Sequence, residues 1–216
     1  QLYNELTLYK LRSKVEILNL SNEFIVAAIS KEKFLSLDDS KNIEGFTIKY
    51  NEDTIFIDPR LKKLGARLII NLEKLNLSLK NLELKTGNVE DYYKFSHELG
   101  ISQIDNINLQ NKIFGIECNY EELNGIDYKK GCFVGQENIA RIKHKNKLNK
   151  RLLAVKIIEG KISTEEIFFK EKEIGKLLIK NKNPFALIKI QHGQFDFDHI
   201  YKCGNAKIKV QKPDWF

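Results

Sequence analysis

The chain has 216 residues and 25.2 kDa, with 42% hydrophobic, 10% aromatic and 30% charged residues, enough apolar matter for one large or two modest cores and too much for a disordered chain. No stretch approaches the roughly 18 consecutive apolar residues of a membrane-spanning helix, and the opening QLYNELTLYKLRSK lacks the apolar block of a secretory signal, so a soluble protein without a membrane partner is expected. The net charge of +7 would point to nucleic acid, but of 36 basic residues only Arg12, Arg60, Arg67, Arg141 and Arg151 are arginine. A lysine, isoleucine and asparagine excess of this kind is what an AT-rich genome writes into any protein, so local charge carries more weight than the total. The chain begins at Gln1 and contains no methionine, and it reads as the later part of a longer protein.

Leu2, Leu6 and Tyr9 recur at helical spacing, with Leu8 and Leu11 widening the stripe, which predicts a helix packed on a sheet. Val15 to Leu20 and Phe24 to Ser30 read as two strands around a Ser21-Asn22 hairpin turn, and further short strands are predicted at Phe46 to Tyr50, Thr54 to Asp58 and Arg67 to Ile70. The leucines of residues 71 to 85 mix both periods and leave that run open. Glu90 to Leu99 reads as a helix stopped by Gly100. From Lys150 the texture changes to apolar strands at Leu152 to Ile158, Ile174 to Ile179, Phe185 to Gln191 and Ala206 to Val210, the pattern of a small antiparallel barrel or sandwich. The polar run RIKHKNKLNK, Arg141 to Lys150, is the expected boundary, dividing an α+β domain over 1–147 from a β-domain over 148–216.

Cys118, Cys132 and Cys203 show neither CxxC nor CxxxC spacing, and His97, His144, His192 and His199 are scattered, so neither a disulfide framework nor a metal site is predicted. The informative run is KKGCFVGQENIAR, Lys129 to Arg141, in which Cys132 sits between Gly131 and Gly135 and a helix-like segment follows. Two glycines allow a tight turn around Cys132 and Phe133, with Gln136 and Glu137 in the first helical turn. A thiol facing a helix start and the Lys129 and Lys130 ammonium groups is stabilised as thiolate; a small cysteine packed in a turn is the competing reading. Arg141 to Arg151 carries six cations and no acid. It reads as a polyanion or phosphate site, or as a solvated loop of a lysine-rich chain; the interleaved aromatics of single-strand recognition are absent.

At Lys130, Gly131, Cys132, Phe133, Gly135, Gln136 and Glu137 the sequence resembles the YgfZ-type folate-binding proteins, relatives of the aminomethyltransferase (T-protein) of the glycine cleavage system. Glu117, Asn119, Leu123, Gly125 and Ile126 resemble upstream pieces of the same family, as do the Leu11 to Val15 block and Asp58-Pro59-Arg60 with Leu64, Gly65 and Arg67. Lys150-Arg151-Leu152 and Pro213-Asp214-Trp215 extend the resemblance to the C-terminus. The chain departs from the family pattern at Ser96, where the family usually has an arginine, at Gly100-Ile101-Ser102, where it has glycine-isoleucine-proline, and at Gly115, where it commonly carries a proline.

The resemblance implies a ferredoxin-like α/β portion of a T-protein-like fold, lacking its initial segment, followed by a small C-terminal antiparallel β-barrel. It implies an accessory role in the assembly or repair of iron–sulfur enzymes, including radical enzymes that modify tRNA, in the bacterial cytoplasm or an organelle matrix. Tetrahydrofolate is the implied ligand, iron–sulfur client or assembly proteins are the implied partners, and tRNA is a possible further contact. On this basis Cys132 is the functional centre, and Glu117, Tyr128, Lys130, Gly131, Phe133, Gly135, Gln136, Glu137 and Arg141 form the expected cofactor-binding set. Glu117 suits the amide-like edge of a pterin, and Tyr120, Tyr128 or Phe133 its flat face. The competing function is a folate-dependent aminomethyl or one-carbon transferase, which needs a positioned carboxylate at the reacting nitrogen; in the transferase relatives that acid lies in the segment this chain lacks.

Overall fold

The computed structural model describes residues 2–51, 53–103, 105–131, 137, 139–140, 143, 148–190 and 195–216. The chain divides into two compact units, Gln1–Asp58 with Gly65–Thr86, and Pro59–Leu64 with Gly87–Phe216.

The first unit is built on a four-stranded antiparallel sheet of β1 (Phe24–Ile29), β2 (Thr47–Tyr50), β3 (Asp53–Ile57) and β4 (Ala66–Asn71), in the order β1-β4-β3-β2. Alternation places one side of the sheet in the core: Ile55, Ile57, Leu68 and Ile70 are fully buried, whereas Arg67 and Ile69 point the other way. Against the buried side lies Phe34 of the short helix α2 (Lys31–Leu35), started by Ser30, whose Oγ accepts from the Lys33 N–H at 3.1 Å. The ambiguous leucine run becomes a 3₁₀ turn, Leu72–Lys74, followed by the helix α3 (Leu75–Asn81).

Two expectations fail in this unit. Val15 to Leu20 forms no strand, and β1 pairs with β4 instead, Phe24 opposite Asn71 and Ile29 opposite Ala66. The Glu23 and Phe24 N–H groups both bond the Leu20 carbonyl, so Ser21-Asn22 sits in a helical turn that cannot fold the chain back on itself as a two-residue hairpin. The first helix forms, as α1 (Leu2–Tyr9), but none of its residues is buried; periodicity reported its conformation and not its packing.

In the second unit the helix α4 (Val89–Glu98) starts at Asn88, whose Oδ1 accepts from the Glu90 N–H, and ends at Gly100. Gly100 has φ +76°, with its N–H on the His97 carbonyl and that of Ile101 on the Ser96 carbonyl, the left-handed ending that glycine adopts at least cost. The strands β5 (Lys150–Glu159), β6 (Glu166–Phe169), β7 (Lys172–Ile179), β8 (Phe185–Lys189), β9 (Tyr201–Cys203) and β10 (Ala206–Val210) close into an antiparallel barrel in the order β10-β5-β8-β7-β6-β9. Leu153, Val155, Ile167, Leu177, Ile188 and Ile208 fill its interior. The α+β class and the barrel expected from the sequence are therefore present, with closure supplied by β6 and β9, too short to display a period.

The chain end folds back within this unit. Trp215 packs with Leu64, Ile101 and Leu123, and its Nε1–H donates to the Leu99 carbonyl at 2.8 Å; Phe216 meets Phe197 edge-on at 5.7 Å. No helix among the described residues is long and apolar enough to cross a membrane.

Candidate functional site

The segment that leads into the cysteine motif, residues 113 to 130, is a run of turns held by side chains rather than by a ladder. The Glu117 carboxylate closes its first turn, Oε2 accepting from the Phe114 N–H at 3.0 Å, while its Oε1 takes no hydrogen bond among the described residues. Asn119 is buried with φ +63°, a conformation asparagine tolerates better than most residues. Its Nδ2 donates to the Leu152 carbonyl at 2.7 Å, and the Leu152 N–H donates to the Glu117 carbonyl at 2.8 Å, so the turn is pinned to β5 from both sides. Further on, the Lys129 N–H bonds Asp127 Oδ1 at 2.8 Å and sets the approach to the motif.

Two consecutive acids pair with two cations of the basic stretch. Glu121 pairs with Lys143 and accepts the Tyr128 hydroxyl at 3.0 Å, and the Lys143 ammonium also lies 3.8 Å from the Tyr128 ring centroid. Glu122 pairs with Arg151, which also donates to Asn119 Oδ1 at 3.3 Å. Burial pushes the Glu121 carboxyl upward, but the hydrogen bonds of Lys143 and Tyr128 outweigh it and leave the group below the usual carboxylate range. Tyr128 is pushed up to about 12, by burial first and then by its bond to the Glu121 carboxylate. Lys143 and Arg151 are thus internal ion-pair partners. One face of the Tyr128 ring is already covered.

Behind this segment the second unit encloses a cavity of about 290 Å³. Its apolar wall is Ile101, Leu109, Leu123, Leu152 and Phe185, and Arg60, Ser102, Asn106 and Tyr120 supply its polar atoms. Tyr120 is held edgewise between two glycines: a Cβ at Gly115 would come within 3.0 Å of its ring, and one at Gly125 within 3.1 Å of its Cβ. Glycine at 115, where the family commonly has proline, therefore has a local packing role. The Cys118 thiol also faces the cavity, with a pKa raised to about 11 by burial and by the nearby Glu117 charge. The sequence marks Tyr120 and Glu117 as candidate ligand contacts, and Arg60 only as part of a family-like block; that Arg60 and Cys118 share this cavity is decided by tertiary packing.

Of the expected site residues, Cys132, Phe133, Gly135, Gln136 and Arg141 lie outside the described residues. Glu117 is half-buried, Tyr128 is at the surface in the Glu121–Lys143 cluster, and Lys130, Gly131 and Glu137 are exposed. Gly131 does not adopt a left-handed φ, and a Cβ there would meet open space among the described residues, so the tight-turn argument does not extend to it. Glu137, Ile139, Ala140 and Lys143 are helical, in accord with the helix expected after the motif. Of the other two cysteines, Cys203 is fully buried in the barrel and Cys118 half-buried.

No protein-family model matches the chain. It is 27% identical over 213 residues to the mitochondrial iron-sulfur cluster assembly factor IBA57 homolog of Dictyostelium discoideum, covering 94% of this chain and 51% of that protein. To the mitochondrial iron-sulfur cluster assembly factor IBA57 of Mus musculus it is 29% identical over 161 residues, 72% of this chain and 42% of the relative. To the tRNA-modifying protein YgfZ of Buchnera aphidicola it is 30% identical over 158 residues, 69% and 48% of the two chains. The similarity to these relatives, together with the KGCFVGQE run in the sequence, defines the class. At this moderate identity the chain belongs to the YgfZ-type family, and it spans about half the length of the curated relatives it matches.

Proposed function

We propose that this chain belongs to an accessory factor for the assembly or repair of iron–sulfur cluster enzymes, tRNA-modifying radical enzymes among its clients, acting through Cys132 in the KGCFVGQE motif with tetrahydrofolate as ligand. The observation that carries the reading is the match across 94% of the chain to a relative named as an iron-sulfur cluster assembly factor, joined to the motif itself. On this reading the fold is T-protein-like, with a ferredoxin-like α/β portion, and the protein works in an organelle matrix or in the bacterial cytoplasm. The partners are client or assembly proteins, and tRNA contact would fall to the cations of the basic stretch other than Lys143 and Arg151.

The chemistry available to a folate is specific. Glu117 holds one carboxylate oxygen on the Phe114 N–H and leaves Oε1 for a ligand N–H, the pairing that an aminopyrimidine edge makes. With one face of Tyr128 taken by Lys143, Tyr120 or Phe133 is the better cover for a flat ring. Calorimetry on the full-length natural protein against tetrahydrofolate and its methylene and formyl forms tests the ligand: binding that weakens about tenfold or more in Glu117→Ala supports it, and no binding of any form removes folate. Loss of cluster-dependent enzyme activity in cells carrying Cys132→Ser tests the thiol; full activity of that variant removes it from the mechanism.

A further inference from the structure

The cavity beneath Tyr120 has a one-sided chemistry. About 290 Å³, at roughly 30 Å³ per water, is room for a molecule of on the order of ten non-hydrogen atoms. Leu109, Leu152 and Phe185 form its floor, and among its described lining residues the Arg60 guanidinium is the sole formal charge and there is no carboxylate. Arg60 donates to Gln103 Oε1 at 3.3 Å and has further interactions; a guanidinium carries five N–H donors in a planar fork, so it can keep protein partners and still present a donor edge to a ligand. Arg60 and Tyr120 both line the cavity, so a cation and a phenol share an otherwise largely apolar pocket; the Tyr120 pKa is raised by burial first and then by Cys118, with Arg60 acting in the opposite direction. Apolar walls with a few convergent polar groups are the general form of a small-molecule site.

We infer that this cavity binds a small carboxylate with a flat or branched apolar body, the body against Leu109, Leu152 and Phe185 and the carboxylate at Arg60 and Tyr120. The inference concerns a cavity whose described lining does not include Glu117; it shares Tyr120 with the folate reading and does not depend on that reading. A zwitterion or a cation is disfavoured, because an ammonium would meet the Arg60 charge with no acid in the lining to offset it. A neutral isostere loses the charge-assisted bond.

Two groups report occupancy. Trp215 packs on Ile101 and Leu123, which line the cavity, and it is the sole tryptophan. The Cys118 thiol opens onto the cavity, and its alkylation can be read separately from that of Cys132 and Cys203 by peptide mapping. The test uses phenylacetate and its neutral counterpart phenylacetamide on the full chain. Phenylacetate is expected to shift Trp215 emission saturably and to slow iodoacetamide labelling of Cys118, with phenylacetamide about tenfold weaker. Arg60→Gln should bring the two affinities together, and Arg60→Lys should restore part of the difference. If neither compound protects Cys118 at roughly 10 mM, the weak end of fragment binding, or if acid and amide bind equally in the unmodified protein, the assignment is overturned.

Discussion

The ammonium of Lys143 lies 3.8 Å from the centroid of the Tyr128 ring, and the Glu121 carboxylate binds both the ammonium and the Tyr128 hydroxyl. Charge, ring and carboxylate hold one another, and the ionisation of Tyr128 is displaced to about 12 because a tyrosinate would leave water and face Glu121. Followed by tyrosinate absorbance, Tyr128 should be among the last tyrosines to titrate. Glu121→Gln should return it toward the ordinary value near 10. Titration of all eight tyrosines together, unchanged in Glu121→Gln, would count against the cluster.

Asn119 bears three loads, a left-handed backbone, the hydrogen bond to the Leu152 carbonyl and the one its Oδ1 accepts from Arg151. Asn119→Ala should lower stability by about 2–3 kcal/mol, from an orphaned buried carbonyl and a strained φ. Chemical denaturation measures it; Asn119→Gly, which relieves the backbone strain but not the lost bonds, should recover only part.

Burial lowers the pKa of His97, against the opposing pull of the Pro184 carbonyl 3.0 Å from its Nε2. The unfolded chain therefore binds a proton more readily than the native one below about pH 6.5. Stability from neutral His97 is complete above that value and declines as pH falls through it, flattening once the folded group is protonated. The denaturation midpoint of the parent protein should drop between about pH 7 and about pH 5 more steeply than that of His97→Gln; equal slopes would show that other groups dominate.

Cys118 and Cys203 are expected to alkylate slowly at neutral pH. With a pKa of about 11, Cys118 is thiolate in only about one molecule in ten thousand at pH 7, so its labelling rate should climb about tenfold per pH unit through pH 10. Cys203 is also shifted upward by burial and has no exposed surface. A rate for Cys118 that levels off near pH 9 would contradict the buried position.

Gly100 carries the turn on which the chain end docks. A methyl group there would come within 2.6 Å of Pro213 Cγ at a φ of +76°. Gly100→Ala should cost about 1–3 kcal/mol and loosen the Trp215 contact, read as red-shifted, more readily quenched emission. Unchanged emission would mean that the tail accommodates the methyl by a local shift.

Conformation is legible in short-range pattern. Alternation at Ile55, Ile57, Leu68 and Ile70 announces β3 and β4, the run from Glu90 to the stop at Gly100 announces α4, whose Asn88 cap only the structure supplies, and the motif run carries the family resemblance. Partners distant along the chain are not legible in that way. Lys143 and Arg151 read as unopposed charge because their acids, Glu121 and Glu122, stand 22 and 29 residues away. Local pairing needs the shortest loop and so favours the neighbouring Val15 to Leu20 run for β1, yet its mate is β4, whose own alternation lets both strands bury the same face. Cys118, Arg60 and Phe185 share a cavity only because a run of turns is pinned to β5 through Asn119. Periodicity is a property of neighbouring residues and is visible in one dimension, whereas ion pairing, strand choice and cavity lining depend on which distant surfaces meet, and that is decided only when the whole chain lowers its free energy together.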